Sequence, residues 1–564
     1  MIKSLFKKYR TLLLVVFVSA SSVISYSFVD DYFDISKNLD IFSSVYREVN
    51  MYYVDPVEPG KFMKKGIDAM LATLDPYTNY IPESEIEDYR FMTTGQYGGI
   101  GALIRQKGDY VAISEPYEGF PAQKADLRAG DEILSVEGIS AKGKKTDEIS
   151  RILKGQPKTQ VKLLIRREGV KDPIEKIITR EEIKVKSVPY YGMLNNDIGY
   201  IRLTNFTDNC SADVKDALVK LKEKNSLKGV VLDLRFNPGG LLNEAVNVTN
   251  VFVDKGQEIV STRSKVKALD KSYKAINNAI DTNIPLAVLV NSGSASASEI
   301  VSGTLQDLDR GVIIGQRTFG KGLVQTTRTL GYNSQLKITT SKYYVPSGRC
   351  IQALDYTHRN EDGSVGKVPD SLVTAFKTKA GREVFDGGGI LPDLVVEQKK
   401  LSNIAVSLIT KNIIFDFASH YRNEHASIAP ARDFKLSESD WNDFVAYIAE
   451  KDYDYTTKSE KSLDELKKNS EEEKYLEELK SDIEGLKLKL AHNKKDDVQK
   501  NREEISGFIE QEIVTRYYYQ AGKIEASFDN DTEVQKAIDV LGNPGLHTGI
   551  LNGTFKASLE EIKK

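Results

Sequence analysis

The sequence predicts a multidomain α+β protein with a helical amino-terminal segment, a small β domain, an α/β core and a helical carboxyl-terminal region. Three observations predict it. The chain of 564 residues is long enough for about three or four domains. Its hydrophobic content of 40% supports sizeable cores. The spacing of apolar residues also changes near residues 95, 186 and 397, from helical to strand-like, then to strands alternating with helices, then back to helical. The expected segments are residues 1–28, 29–94, 95–185, 186–396 and 397–564.

At the start, Lys3, Lys7, Lys8 and Arg10 precede TLLLVVFVSASSVISYSF, with small residues at Ser25 and Ser27. A basic region followed by an apolar one is the pattern of an export signal, here cleaved near Phe28. Left uncleaved, residues 11–28 would form a helix of about 27 Å, marginal against a bilayer core of about 30 Å, and serve as an anchor. In both readings the basic flank stays on the cytoplasmic side. The bulk of the chain is therefore expected outside the cytoplasm, periplasmic or secreted, with membrane contact only if the segment is retained.

Between 29 and 94, Ile41, Val45 and Val49, then Met63, Ile67, Met70 and Leu71, recur at helical spacing and are interrupted at Asp55-Pro56 and Asp75-Pro76. Two or three helices are expected there. Between 95 and 185, YVAISEP, DEILSVEG and QVKLLIRRE are strand-like runs set apart by Gly and charge, with one helix over Thr146–Leu153. From 186 to 396, apolar strands such as GVVLDLR and IPLAVLVN alternate with helical stretches, the pattern of an α/β layer. Beyond 397 the chain is helical and charged. KSEKSLDELKKNSEEE (458–473) reads as a solvated helix face or linker, and Leu476, Leu479, Ile483, Leu486 and Leu490 form an a/d seam. At about two heptads the seam is too short for a sustained coiled coil and is read as local helix packing.

Composition excludes several functions. Lys+Arg is 78 against Asp+Glu 81, so no global basic field invites nucleic acid. Cys210 and Cys350 match no metal-ligand spacing and no disulfide framework. Two buried free thiols are expected, with one pairing left open. GQRTFGKG (315–322) imitates a phosphate-binding loop until its last position, where Gly322 replaces the hydroxyl that would help hold magnesium. The β-like run GLVQTTRTL follows it, so no helix amino terminus receives a phosphate. Neither a nucleotide nor a metal is implied, and Lys321 needs another partner.

NSGSASASEI (291–300) follows the strand IPLAVLV and opens a helix with Ile300, Val301, Leu305 and Leu308 on its apolar positions. A serine at such a turn has free backbone N–H groups beside it, suited to an oxyanion. The G-x-S-x-G pattern is absent, and all five histidines lie outside residues 187–351. A lysine base removes the need for histidine, provided its pKa falls from about 10.4 to about 7 or 8. Phe319, Leu323 and Val324 flank Lys321 and would supply the apolar surroundings that disfavour the cation.

LDLRFNPGG (232–240), GSASASEI (293–300), TFGKGLVQ (318–325), YYVPSGRCIQ (343–352) and GGGILPD (387–393), in this order, resemble the C-terminal processing peptidases, serine peptidases with a Ser/Lys dyad and a PDZ domain. The resemblance spans roughly residues 40–395 and implies a crotonase-like layered protease core. It implies that Ser296 is the nucleophile, that Lys321, twenty-five residues on, is the general base, and that Gln325 orients the lysine. It places an oxyanion hole at the Ala297 amide and one amide of the Pro238-Gly239-Gly240 turn, with Gly239 favoured over Gly240. Asp307 matches a family position as either a helix brace or a catalytic group, whereas Asp233 and Arg235 read as structural.

The middle β domain resembles a PDZ domain. There Gly98, Gly99, Ile100 and Gly101 would receive a terminal carboxylate, an added peptide strand would pair, and Ile149 and Leu153 would line a side-chain pocket. The expected partners are proteins or peptides with apolar C-terminal tails. An adaptor or activator and a homodimer through the helical ends stay open. The alternative to an extracytoplasmic endopeptidase is a non-hydrolytic peptide-binding scaffold.

Overall fold

The computed structural model describes residues 32–223, 227–360, 362–397 and 399–555. The segment read as a signal or anchor, residues 1–28, lies outside them. Among the described residues no helix is long and apolar enough to cross a membrane. The chain divides into two compact units, one of residues up to 83 together with 327–338 and one of the remainder.

In the first unit, residues 32–52 are helical and a second helix covers Pro59–Ala72. The break between them contains Asp55-Pro56, where the residue before proline is driven from helical geometry. The second helix ends ahead of Asp75-Pro76. There the Asp75 carboxylate accepts the N–H groups of Tyr77 and Thr78, both at 2.8 Å, closing a local turn. The turn delivers the chain into strand Asn79–Ile81, which pairs antiparallel with residues 335–337.

The second unit opens with the small β domain. Its strands Ala102–Lys107, Tyr110–Pro116, Glu132–Val136, Gln160–Arg166 and Ile174–Thr179 form one sheet in that order. The Gln160–Arg166 strand alternates exposed and buried residues at its start, as a sheet with one wet face requires. Helix Thr146–Leu153 covers the other face, where Ile149 and Leu153 pack with Val111, Ile113, Ile133 and Leu163. Among the described residues strand Ala102–Lys107 pairs on one side only, which leaves it an edge strand.

The core is a sheet ordered Tyr190–Met193, Ile198–Arg202, Gly229–Asp233, Leu286–Val290, Val312–Gly315 and Leu394–Val395, parallel except for its first pair. Every residue of Gly229–Asp233 and Leu286–Val290 is buried, because a parallel sheet is covered on both faces. Helices Cys210–Lys222, Leu242–Asn250 and Ala297–Asp307 cover one face, meeting Val230, Leu232 and Val288. The other face, with Val231, Ala287 and Leu289, is covered by Phe528, Val534, Ala537, Val540, Leu541 and Ile550.

That second layer differs from the sequence reading, which placed everything beyond 397 in a separate helical region. Helices Thr532–Gly542 and Pro544–Leu551 belong to the core. Their apolar spacing marks an amphipathic helix but cannot say which distant sheet it covers. The rest of that region forms its own cluster, with Phe417, Trp441, Phe444, Ile505, Ile509 and Ile513 at its centre. Residues 458–473 are largely helix, and Lys458–Glu472 packs against helix Leu476–Lys495. Leu463 and Ile483 are buried there while Leu479 and Leu486 remain exposed. Cys210 is buried and Cys350 half-buried, and both are free.

Candidate active site

Strand Leu286–Val290 ends in the core, and the chain turns at Asn291–Ala295 before helix Ala297–Asp307 begins. Ser296 is the N-cap, with φ 55° and ψ −110°. A side chain is rarely held at positive φ, and such a residue costs on the order of 1–3 kcal/mol, retained where surrounding structure over-determines it. Here the determinants are legible. The Ser296 N–H donates to Glu299 Oε2 at 2.8 Å, the reach-back half of a capping box. The Ser296 carbonyl accepts the Tyr343 hydroxyl at 3.1 Å.

Glu299 ties this turn to the loop of Lys321. Its carboxyl accepts the Thr318 hydroxyl at 2.6 Å, the Gly320 N–H at 2.7 Å and the Lys321 N–H at 2.9 Å, besides the Ser296 N–H. One fully buried side chain thus fixes the backbones on which Ser296 and Lys321 stand. The Thr318 hydroxyl also accepts the Ile390 N–H at 2.6 Å, which brings GGGILPD against the same loop. Sequence reading missed Glu299 and Thr318. The S-x-x-E spacing of Ser296 and Glu299 is the signal that could have found the first of them.

Burial pushes the Glu299 carboxyl up to about 7, against the donors that favour its ionised form. The folded chain therefore holds a proton that the unfolded chain has released. The stabilising contribution of this group is complete below about pH 4.5 and lost as the pH rises through about 7. Glu299→Gln is expected to flatten that part of the thermal-midpoint profile relative to wild type between pH 5 and 8. It should also lower kcat by about 10- to 100-fold, because the amide nitrogen cannot accept and strands a buried donor at roughly 1–3 kcal/mol. Parallel midpoint profiles for the two proteins would contradict this.

The loop that imitates a phosphate site is explained by close packing. Gly320 has φ +88°, and a Cβ there would lie 2.3 Å from Ala353 Cβ. A Cβ at Gly322 would lie 2.9 Å from Gln352 N. The Gly322 N–H donates to Gln352 Oε1 at 2.8 Å. Strand Leu323–Thr329 follows, where a phosphate-binding loop would need a helix. Of the residues expected to surround Lys321, Leu323 is buried, Val324 half-buried and Phe319 49% exposed. Gln325 lies two residues into the strand, with its Nε2 donating to Thr339 Oγ1 at 3.1 Å.

The glycine turn lies against the serine. A Cβ built on Gly239, whose φ is +99°, would lie 2.9 Å from both Ser296 Cβ and Ala297 N. The Gly239 N–H, however, donates to Asn237 Oδ1 at 2.9 Å. It is already used inside the turn and does not point freely into the cleft as expected. Asn237 forms a short side-chain-to-backbone turn of the kind Asn favours. Asp307 stands at the far end of the helix, about 16 Å along the axis from Ser296. It is ion-paired to buried Arg349 at 2.8 Å and accepts the Ser347 N–H at 2.9 Å, so it braces the fold. His547 packs against the core sheet, its Nε2 3.4 Å from the Leu286 carbonyl.

In the β domain, Gly98 and Gly99 lie in strand Gln96–Gly99, paired antiparallel with Glu181–Lys184. Ile100 is buried. Gly101 has φ +73°, and a Cβ there would lie 2.6 Å from Phe120 Cβ. Ile149 and Leu153, expected to line a pocket, are 1% and 4% exposed. The two apolar positions of the helix pack in the domain core beside Ile100.

A layered α/β core with a strained serine at a strand-to-helix turn, preceded by a small β domain with an edge strand, is the architecture of a serine peptidase joined to a PDZ domain. Residues 197–359 match peptidase family S41, residues 113–167 a PDZ domain, and residues 404–541 a "Probable PDZ-protease, C-terminal helical domain". The chain is 40% identical over 324 residues to a carboxy-terminal-processing protease of Bartonella bacilliformis, covering 57% of this chain and 74% of that protein. It is 38% identical over 317 residues to a probable CtpA-like serine protease of Staphylococcus aureus, covering 56% of this chain and 62% of that protein. Among solved structures, a photosystem II D1 C-terminal processing protease is 29% identical, covering 63% of this chain and 92% of that one, at a TM-score of 0.35. The chain belongs to peptidase family S41 and is a C-terminal processing protease with a PDZ domain.

Proposed function

We propose that Ser296 is the nucleophile of this peptidase and Lys321 its general base. The observation that carries the reading is the buried Glu299 carboxyl, which holds the N–H of Ser296 and the N–H of Lys321 at 2.8 and 2.9 Å. In the forward step, Ser296 Oγ attacks the peptide carbonyl carbon and gives its proton to neutral Lys321 Nζ. The tetrahedral oxyanion takes the Ala297 N–H, and the Gly239 N–H joins it by exchanging Asn237 Oδ1 for the substrate oxygen. Collapse expels the amine, which takes the proton from Lys321. Water, deprotonated by the same lysine, then releases the acyl group. Gln325 orients the lysine from its strand.

The substrates are protein tails ending in apolar residues, added as a strand to the edge strand Ala102–Lys107. The enzyme acts outside the cytoplasm, a reading supported by the basic and apolar start of the sequence. A serine-directed phosphonate tests the nucleophile: peptide mapping should find the label on Ser296, and a label on another residue would overturn the assignment. Tail capture is tested by a substrate pair differing only in a free or amidated C-terminus. The free acid is expected to have a kcat/KM about 10-fold higher, and equal values would remove the carboxylate from recognition.

A further inference from the structure

Two phenyl rings stand in solvent next to the serine loop. Phe236 is 68% exposed and Phe319 is 49% exposed. Phe236 is the stranger of the two, because its φ is +59°, a region that bulky side chains avoid. It brings no burial to offset the strain, so the fold itself does not call for a large apolar residue there.

The backbone around Phe236 is nevertheless fixed to the serine loop. The Phe236 N–H donates to Asn291 Oδ1 at 2.9 Å. The Asn237 carbonyl accepts the Ala295 N–H at 3.0 Å and the Ser298 hydroxyl at 2.9 Å. A Cβ built on Gly293 would lie 3.1 Å from Phe236 Cδ1, so the ring rests on the loop backbone three residues before Ser296. The Phe319 N–H donates to the Ser294 carbonyl at 3.0 Å. Phe319 also borders a cavity of about 950 Å³ shared with Val368, Val384 and Phe385. Strained, exposed residues held by an over-determined backbone gather where a protein meets its ligand.

We infer that Phe236, with Phe319 as a second wall, is a specificity residue that receives a bulky apolar side chain next to the scissile bond. The inference rests on Ser296 as the nucleophile and deepens it. Tail recognition would decide which protein is engaged, and Phe236 would decide where it is cut. The class of substrate is an unfolded segment with Leu, Ile, Met or Phe within about two residues of the cleaved bond.

The test is cleavage-site profiling by mass spectrometry on a denatured protein, with wild type, Phe236→Gly, Phe236→Tyr and Ser296→Ala. Wild type and Phe236→Tyr are expected to favour bulky apolar residues at one position beside the cut. Phe236→Gly should lower kcat/KM at those sites by about 10-fold, the scale of discrimination by apolar pockets, while sites with small residues change by less than about twofold. Glycine relieves the positive φ, so its thermal midpoint should equal or exceed that of wild type, which separates lost preference from lost fold. An unchanged site profile for Phe236→Gly overturns the inference. Cleavage surviving in Ser296→Ala overturns the nucleophile assignment instead.

Discussion

Ser296→Ala is expected to lower kcat/KM by roughly 10⁴- to 10⁶-fold, the range for removing a nucleophile from a serine peptidase. Lys321→Ala should fall as far, because base and nucleophile act as one unit. Their losses are expected not to add: the double variant should be no slower than the worse single one within about threefold. Initial rates on a tailed protein substrate measure all three. Lys321→Arg should not rescue, because the guanidinium stays protonated and cannot accept the serine proton. Activity in Lys321→Arg near the wild-type level would rule out proton transfer to residue 321.

Asp233→Ala is expected to produce the largest loss of stability. The Asp233 carboxylate is fully buried at the end of its core strand. It accepts the Tyr200 hydroxyl at 2.6 Å, pairs with Arg235 at 2.6 Å and also pairs with Arg202. Burial raises its pKa, but Arg235 and Arg202 outweigh burial and hold the carboxyl well below the usual range. Its contribution is therefore present above about pH 4 and lost as the pH falls further. Removing one partner of a buried charged cluster costs about 3–5 kcal/mol. The thermal midpoint of the core should drop by roughly 6–20 °C, and a shift below about 2 °C would contradict the assignment. Arg235 keeps Asp531 and Glu533 at 2.8 and 2.6 Å, so the loss should fall mainly on Arg202 and Tyr200.

Much of this molecule was legible because local patterns carry it. The runs GVVLDLR and IPLAVLVN are apolar on both faces, which is what strands of a doubly covered parallel sheet need, and they form such strands. Thr146–Leu153 is a helix because its apolar positions fall at helical spacing behind a Lys145–Glu148 cap. The serine turn was found because a strand running directly into a helix leaves free amides.

What could not be read depends on contacts between distant residues. Ile149 and Leu153 have the spacing of a groove wall and of a core face alike, and spacing does not decide between them. The Gly239 amide was expected to be open because nothing in RFNPGG says that Asn237 turns back to accept it. Glu299 was passed over as one more acidic residue in a first helical turn. Its importance comes from Thr318 and Gly320, nineteen and twenty-one residues away.

The second layer of the core has a consequence for timing. Phe528, Val534, Val540 and Ile550 cover the face of the sheet opposite the helix that Ser296 opens. They are made more than two hundred residues after the serine itself. At about 5–20 residues per second, roughly ten to fifty seconds pass during synthesis between the two. Through that interval one face of the sheet has no cover and Arg235 lacks Asp531 and Glu533. The sheet that carries the serine is thus completed only when residues 528–550 have been added.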